Sequence, residues 1–235
     1  GTSNATINLL GFSRSSNKKI NLKISVNGQL VAIETPFIAL FQAINATIAG
    51  CVASMDSRIS LMDYLMSITL LKDISGRLEF VASKYTDANI YVDYAHTPSA
   101  MKAVLESLRP ITKNNLILVF GAGGNRDKGK RNFMRDIAKN YADFIIVTDD
   151  NPRFEDPKKI RNQLMLNADN FIEIADRYEA IKYAIDKLES GDNLIICGKG
   201  HEEYMIYQDC QIAMKFHLKT LMANRIKNIQ SILCF

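Results

Sequence analysis

The chain has no tryptophan and no apolar run approaching the ~20 residues needed to span a bilayer, so a transmembrane helix is not expected. It also lacks a strong excess of charge: 29 basic residues stand against 25 acidic, a formal net charge of +4. That balance is too mild and too mixed to argue for nucleic acid or a membrane as partner. Cysteines are few. Cys51, Cys197, Cys210 and Cys234 are scattered, with no C-x-x-C pair, so a zinc site is not expected. They read as reduced thiols of a cytoplasmic protein. The chain opens Gly1-Thr2-Ser3-Asn4, without methionine or a basic leader region. The reading is a processed or truncated start, not a signal peptide. There is no internal repeat and no low-complexity linker. What is present is ordinary for a globular protein: 235 residues, 47% apolar and 23% charged. This excludes disordered and fibrous classes and allows one large domain or two small ones.

The first third reads as a hairpin followed by helices. Thr6–Phe12 and Lys19–Val26 are expected strands, and Asn27-Gly28 is a type I′ turn signal into Gln29–Glu34. Pro36 suits the first turn of a helix, expected over Phe37–Met55, with another over Ser60–Leu71. Gly76-Arg77 breaks the pattern, placing a domain boundary there, with domains at 1–75 and 76–235. Beyond it strand and helix alternate. Strands are expected at Ile90–Asp93, Asn115–Phe120, Asp143–Thr148, Phe171–Ile174 and Asn193–Cys197. Helices are expected at Ser99–Leu108, Asn132–Tyr141, Asp156–Leu166, Tyr178–Leu188 and around Lys215–Ala223. Short continuous apolar strands in βαβα order predict an α/β fold, a doubly wound and mostly parallel sheet.

The chemically capable residues gather directly after the expected strands. After the first comes Asp93-Tyr94-Ala95-His96-Thr97-Pro98, and after the second the run Gly121 to Arg131. After the third comes Asp149-Asp150-Asn151-Pro152-Arg153, and after the last Gly198-Lys199-Gly200-His201-Glu202. In a parallel sheet these positions share the C-terminal edge, where such folds bind ligands.

Each loop has its own chemistry. Gly124-x-x-x-x-Gly129-Lys130-Arg131 nearly matches a phosphate-binding P-loop, but Arg131 stands where a Mg²⁺-holding Ser or Thr is required. The Rossmann glycine pattern also fails, because Arg126 occupies the third glycine's place. What remains is a basic loop in which Arg126 suits a carboxylate or phosphate; the ordinary alternative is a solvated basic turn. In Asp149-Asp150-Asn151-Pro152-Arg153, Asn and Arg suit a carboxylate, Asp suits an ammonium, and Pro152 stiffens the presentation. Together they suit a zwitterion, and an Asx turn ahead of a helix capped near Asp156 is compatible with that. Gly198 and Gly200 allow close backbone approach, and Glu202 could receive an ammonium. His201 carries little weight and His217 none. Asp93 with His96 suits a nucleotide contact as well as catalysis, since no nucleophilic Ser or Cys accompanies them.

These loops together resemble the C-terminal domain of the Mur ligases. The resemblance is carried by Val92-Asp93-Tyr94-Ala95-His96-Thr97-Pro98, by the Gly-Gly-Asn-Arg-Asp-Lys-Gly-Lys-Arg loop, by Asp150-Asn151-Pro152-Arg153 and by Gly-Lys-Gly-His-Glu. It covers roughly Gly76–Tyr204, and Asp150 to Arg153 resembles the motif of the branch that adds meso-diaminopimelate. Ahead of it, Phe41-Gln42-Ala43-Ile44-Asn45 is similar to the end of the central ATPase domain, with Asn45 matching and Gln42 departing. The resemblance implies a Rossmann-like C-terminal domain preceded by part of that ATPase domain, a β-hairpin plus helices. It implies an ATP-dependent acid–amino-acid ligase: ATP activates a carboxylate of UDP-MurNAc-L-Ala-D-Glu as an acyl phosphate, which the amine of meso-diaminopimelate attacks. Arg126, Asp150, Asn151, Arg153, Gly198 and Glu202 would then bind diaminopimelate, and Asn45, Arg77, Asp93 and His96 would contact ATP or ADP. No Gly-Lys-[Ser/Thr] occurs in the chain. The P-loop, the Mg²⁺ ligands and the UDP-binding domain are expected upstream, and this part alone is expected to be inactive. The alternative is a free-standing or degenerate binding module of the same fold, and a P-loop kinase is a third reading.

Overall fold

The computed structural model describes residues 7–55, 58–168, 170–202, 204–208 and 210–213. The expected helix around Lys215–Ala223, together with His217 and Cys234, lies outside them. The chain divides into two compact units, 1–73 and 74–235.

The first unit is a three-stranded antiparallel meander, β1 (Ile7–Arg14), β2 (Ile20–Val26) and β3 (Gln29–Glu34), followed by helices α1 (Leu40–Ser54) and α2 (Leu61–Ser67). Alternation drives it: Ile20, Leu22, Ile24 and Val26 of β2 point to one face and are buried with Ile33, Phe37, Ala43 and Leu65. Asn27 and Gly28 both have positive φ, as the type I′ turn requires. One expectation needs correction, because Pro36 does not start a helix. The Thr35 amide and hydroxyl both bond the Ile20 carbonyl, at 3.0 and 2.7 Å, and the Ile20 amide bonds the Phe37 carbonyl at 2.7 Å. Residues 35–37 therefore extend the sheet, and α1 waits until Leu40. Asn45 is exposed on α1.

The second unit is built on a six-stranded sheet. Its strands are β4 (Glu79–Lys84), β5 (Ala88–Asp93), β6 (Leu116–Phe120), β7 (Phe144–Val147), β8 (Phe171–Glu173) and β9 (Asn193–Cys197). Their order is β4-β5-β9-β6-β7-β8, parallel except for β4. Helices α3 (Pro98–Leu108), α4 (Lys130–Tyr141), α5 (Pro157–Met165) and α6 (Arg177–Lys187) make the crossovers. Ile90, Val92, Ile117, Val119, Ile146, Leu194 and Ile196 pack with Ala180, Ile181, Ala184 and Ile185 of α6. The alternate residues Leu116, Leu118 and Phe120 are as deeply buried, so both faces are covered, which explains the continuous apolar strands. A hairpin, β10 (Tyr204–Tyr207) with β11 (Cys210–Ala213), follows. No described helix is long and apolar enough to cross a membrane.

The sequence reading overlooked β4 and the hairpin. β4 is an antiparallel edge strand with an irregular register between Phe80 and Ala82, so its alternation is broken. Its end carries a buried lysine: Lys84 Nζ donates to the carbonyls of Ile185, Asp186 and Leu188 at 2.9, 3.2 and 2.9 Å. A cation there satisfies the orphan carbonyls of α6 and complements its dipole. Lys84→Met should cost about 1.5–3 kcal/mol in chemical denaturation; an unchanged midpoint would show that the cap contributes nothing.

At the opposite edge of the sheet from the loops considered next, Asp87 accepts from the Ser190 hydroxyl at 2.7 Å, the Lys113 ammonium at 3.0 Å and the Gly191 amide at 3.0 Å. The Ser190 bond, more than the Lys113 bond, lowers its carboxyl to about 2. A depressed folded value stabilises above the unfolded value near 3.9 and is lost as pH falls through about 2. Asp87→Asn should therefore flatten the stability profile between about pH 4 and pH 2, and an identical acid limb in both proteins would contradict this.

Candidate functional site

Four loops meet along the C-terminal edge of four adjacent strands, β5, β9, β6 and β7. The segment Asp150–Arg153 after β7 lies at their centre. The loop after β6 is laced to it: the Gly124 amide bonds the Asn151 carbonyl at 2.9 Å, and the Phe154 amide bonds Asn125 Oδ1 at 2.9 Å. The Arg153 guanidinium donates to the carbonyls of Gly124 and Asn151 at 3.0 and 3.3 Å. Beneath this loop Arg131, 1% exposed, donates to both carboxylate oxygens of Glu155, to Gln163 and to the Gly123 carbonyl. The Arg131 hydrogen bond lowers the Glu155 carboxyl, favouring its ionised form. Arg131 therefore occupies the P-loop's Ser/Thr position as a buried strut.

The hairpin joins from the other side. The Arg153 amide bonds the Ile206 carbonyl at 3.0 Å, and the Gln208 amide bonds the Arg153 carbonyl at 2.8 Å, so residues around Arg153 bridge to β10. Arg153 itself has φ +53, a conformation rarely adopted by side-chain-bearing residues and kept only where neighbours enforce it.

The Asn151 carboxamide is engaged at both ends. Its Oδ1 accepts from Lys199 Nζ at 2.5 Å and from the Ile206 amide at 2.9 Å, while its Nδ2 donates to Glu202 Oε2 at 3.2 Å. Lys199 Nζ also reaches Glu202 Oε2 at 3.0 Å, the Tyr204 carbonyl at 2.6 Å and, at 3.8 Å, Asp150. Burial lowers the Lys199 ammonium, and the charges of Asp150 and Glu202 oppose that shift. Asp150 accepts from the Asn151 amide at 2.6 Å. Gly198 has φ +108, and a Cβ there would lie 2.6 Å from Asp150 Oδ2. Behind them the buried Arg177 donates to the Cys197 carbonyl at 2.7 Å and the Asp149 carbonyl at 3.3 Å.

The loop after β5 presents rings, and Arg77 reaches them from the segment ahead of β4. Arg77 stacks over Tyr94 at 4.6 Å, His96 meets Tyr94 edge-on at 4.7 Å, and His201 lies parallel to it at 6.0 Å. The Tyr94 hydroxyl is held protonated first by burial and then by the Glu202 charge. Asp93 has both oxygens engaged, by the Leu78 and Ala95 amides at 2.6 Å each. Burial raises its carboxyl against those bonds.

The structure thus brings the loops carrying Asp150, Asn151, Arg153, Gly198 and Glu202 together. It places Asp93 and His96 at the end of β5 and the loop after it, with Arg77, from the segment ahead of β4, against Tyr94 of that loop. Arg126 is exposed in the loop after β6. Asn45 belongs to the first unit. Of the two acids in the loop after β7, Asp149 is paired with Arg161, which also bonds Glu173 at 2.7 Å, and Asp150 is not. Lys199, Arg131, Glu155 and Arg177 were overlooked. A lysine between two glycines at a strand end was the signal for Lys199; nothing local marked Arg177.

An open, mostly parallel α/β sheet with polar loops stitched together at its C-terminal edge defines a ligand-binding domain of the doubly wound class. Residues 76–200, more than half of the chain, match the family described as "Mur ligase, glutamate ligase domain". The chain belongs to the Mur ligase family. It is 41% identical over 203 residues to the UDP-N-acetylmuramoyl-L-alanyl-D-glutamate--2,6-diaminopimelate ligase of Brucella melitensis, covering 86% of this chain and 41% of that protein. The Zymomonas mobilis ligase of the same name is 46% identical over 186 residues, 79% of this chain and 38% of that one. The chain therefore spans about two fifths of the length of the curated relatives it matches. A solved structure of a ligase of that name superposes with TM-score 0.63 at 29% identity, over 98% of this chain and 47% of its own. Mycobacterium tuberculosis folylpolyglutamate synthase, solved with ADP and AMPPCP, shares the fold at TM-score 0.67 and 18% identity, over 83% of this chain and 46% of its own.

Gly198→Ala should push Asp150 aside and strain the backbone, costing about 1–3 kcal/mol in denaturant-induced unfolding. An alanine variant as stable as the wild type would show that the close approach is not needed.

Proposed function

We propose that this chain is the amino-acid-binding part of an ATP-dependent ligase that adds meso-diaminopimelate to UDP-MurNAc-L-Ala-D-Glu in peptidoglycan synthesis, working in the cytoplasm. In this reading residues 76–235 are the C-terminal domain and residues 1–75 part of the central ATP-binding domain. The observation that carries it is that one guanidinium, Arg153, and two acids, Asp150 and Glu202, stand on loops fixed to one another by hydrogen bonds. The free end of diaminopimelate is a zwitterion. Its carboxylate suits a guanidinium fork, and its ammonium suits Asp150 and Glu202. Gly198 keeps the backbone beside Asp150 clear of a side chain. Arg126, exposed on the neighbouring loop, adds a second cation for a carboxylate. Asn151, with its carboxamide already engaged, contributes by holding Glu202. The names of the relatives agree with this substrate.

The nucleotide half of the reading rests on the loop after β5 and on Arg77, which packs against it from ahead of β4. Arg77 and His96 are exposed beside the Tyr94 ring, a donor set that fits a phosphate or ribose. Asp93 faces backbone amides with both oxygens, so its part is to shape that loop. ATP supplies the phosphate that activates the accepting carboxylate. Among the described residues no group of three or more His, Cys, Asp or Glu side chains is placed to hold a metal ion. The role of this chain's residues is to bind the amino acid, orient its attacking amine and hold its distal end.

Calorimetric titration with meso-diaminopimelate tests the reading. Arg153→Ala removes one charge-assisted contact, which should cost about 1.5–3 kcal/mol, a weakening of roughly tenfold to a hundredfold. Identical heats from wild type and variant would overturn it.

A further inference from the structure

We propose that Lys199 is the positioning residue of this site, setting which way the Asn151 carboxamide points and holding the Glu202 carboxylate in place for the ligand's ammonium. The proposal rests on the diaminopimelate reading and extends it to a buried side chain whose donors are all engaged within the protein. An ammonium has three N–H donors and no acceptor. Lys199 Nζ meets three oxygens at hydrogen-bond distance: Asn151 Oδ1 at 2.5 Å, the Tyr204 carbonyl at 2.6 Å and Glu202 Oε2 at 3.0 Å. Its donors are spent inside the protein, and the residue is only 4% exposed.

The donor-only character does the orienting. A carboxamide can ordinarily be turned either way, and its partners decide the assignment. Here two donors, Lys199 Nζ and the Ile206 amide, converge on one end of Asn151. That end must be oxygen, which turns the amide nitrogen toward Glu202. Glu202 Oε2 then receives two donors, from Lys199 and Asn151, and the carboxylate is anchored on a loop that otherwise has two glycines within four residues. The bond to Tyr204 reaches β10, the strand whose backbone pairs with Arg153. One ammonium thus links the acid expected to meet the ligand's ammonium to the strand beside the arginine expected to meet its carboxylate. A lysine kept only for stability would have no reason to converge on these partners, since a buried charge is a costly way to add stability.

Titration calorimetry with meso-diaminopimelate on wild type, Lys199→Met, Glu202→Gln and the double variant tests the proposal. The expected result is at least a tenfold weakening by Lys199→Met, with the double variant no weaker than the weaker single, because both changes dismantle one arrangement. Losses that multiply, or a Lys199→Met protein that binds as tightly as wild type, overturn it. Lys199→Arg covers the case in which the methionine variant does not fold. It keeps the charge, but a planar fork cannot aim three bonds at three convergent oxygens. It should melt near the wild-type temperature and bind at least fivefold more weakly; wild-type affinity in this variant overturns the proposal. A wild-type protein that does not bind meso-diaminopimelate at all overturns the underlying reading and this proposal with it. A wild type that binds beside an indifferent Lys199→Met overturns this proposal alone.

Discussion

A single carboxamide sits where three loops meet. Asn151 accepts from Lys199 and from the backbone of β10, donates to Glu202, and offers its own carbonyl to the loop after β6. Left unpaired, each of these buried polar groups would cost about 1–3 kcal/mol. The loops therefore form together or lose that stabilisation together. This mutual dependence explains how segments from distant parts of the sequence can hold charged side chains in fixed relation. It also explains the φ of Arg153, which backbone bonds on both sides enforce.

The sheet makes the meeting possible. Because β9 inserts between β5 and β6, the Gly198–Glu202 loop emerges beside both the Asp93 loop and the Gly121–Arg131 loop. Electrostatics then sort the charges. Arg131 with Glu155, and Arg161 with Asp149, are used up as struts under the loops. Arg177 lies buried against the backbone behind Asp150. The charges not used up in this way include Arg153, Asp150, Glu202 and the exposed Arg126, and these are the ones the proposed reading turns toward a ligand.

The parallel sheet was legible because its strands are continuous apolar runs and its helices carry clear caps, such as Thr97, Asp156 and Asp176. β4 was not, since an edge strand with a broken register loses its period. The hairpin β10–β11 was not, since four-residue strands carry too little pattern. Pro36 misled because its ring fits a helix start and an extended strand exit equally well, and only the tertiary bonds of Thr35 to Ile20 decide. At the candidate site, residue types and positions after strands singled out Asp150, Arg153, Gly198 and Glu202, which the fold does bring onto neighbouring loops. The division of labour was hidden. How an acid is held, Asp149 by Arg161 or Glu202 by Lys199, depends on partners that lie 12 and three residues away in sequence but are fixed only by the fold.

A crystal structure of the protein with meso-diaminopimelate bears most directly on the zwitterion clamp. The expected result is the amino acid's distal carboxylate against Arg153 and its ammonium between Asp150 and Glu202, with Asn151 and Lys199 unmoved. Diaminopimelate bound elsewhere on the molecule, with this loop cluster empty, would contradict it.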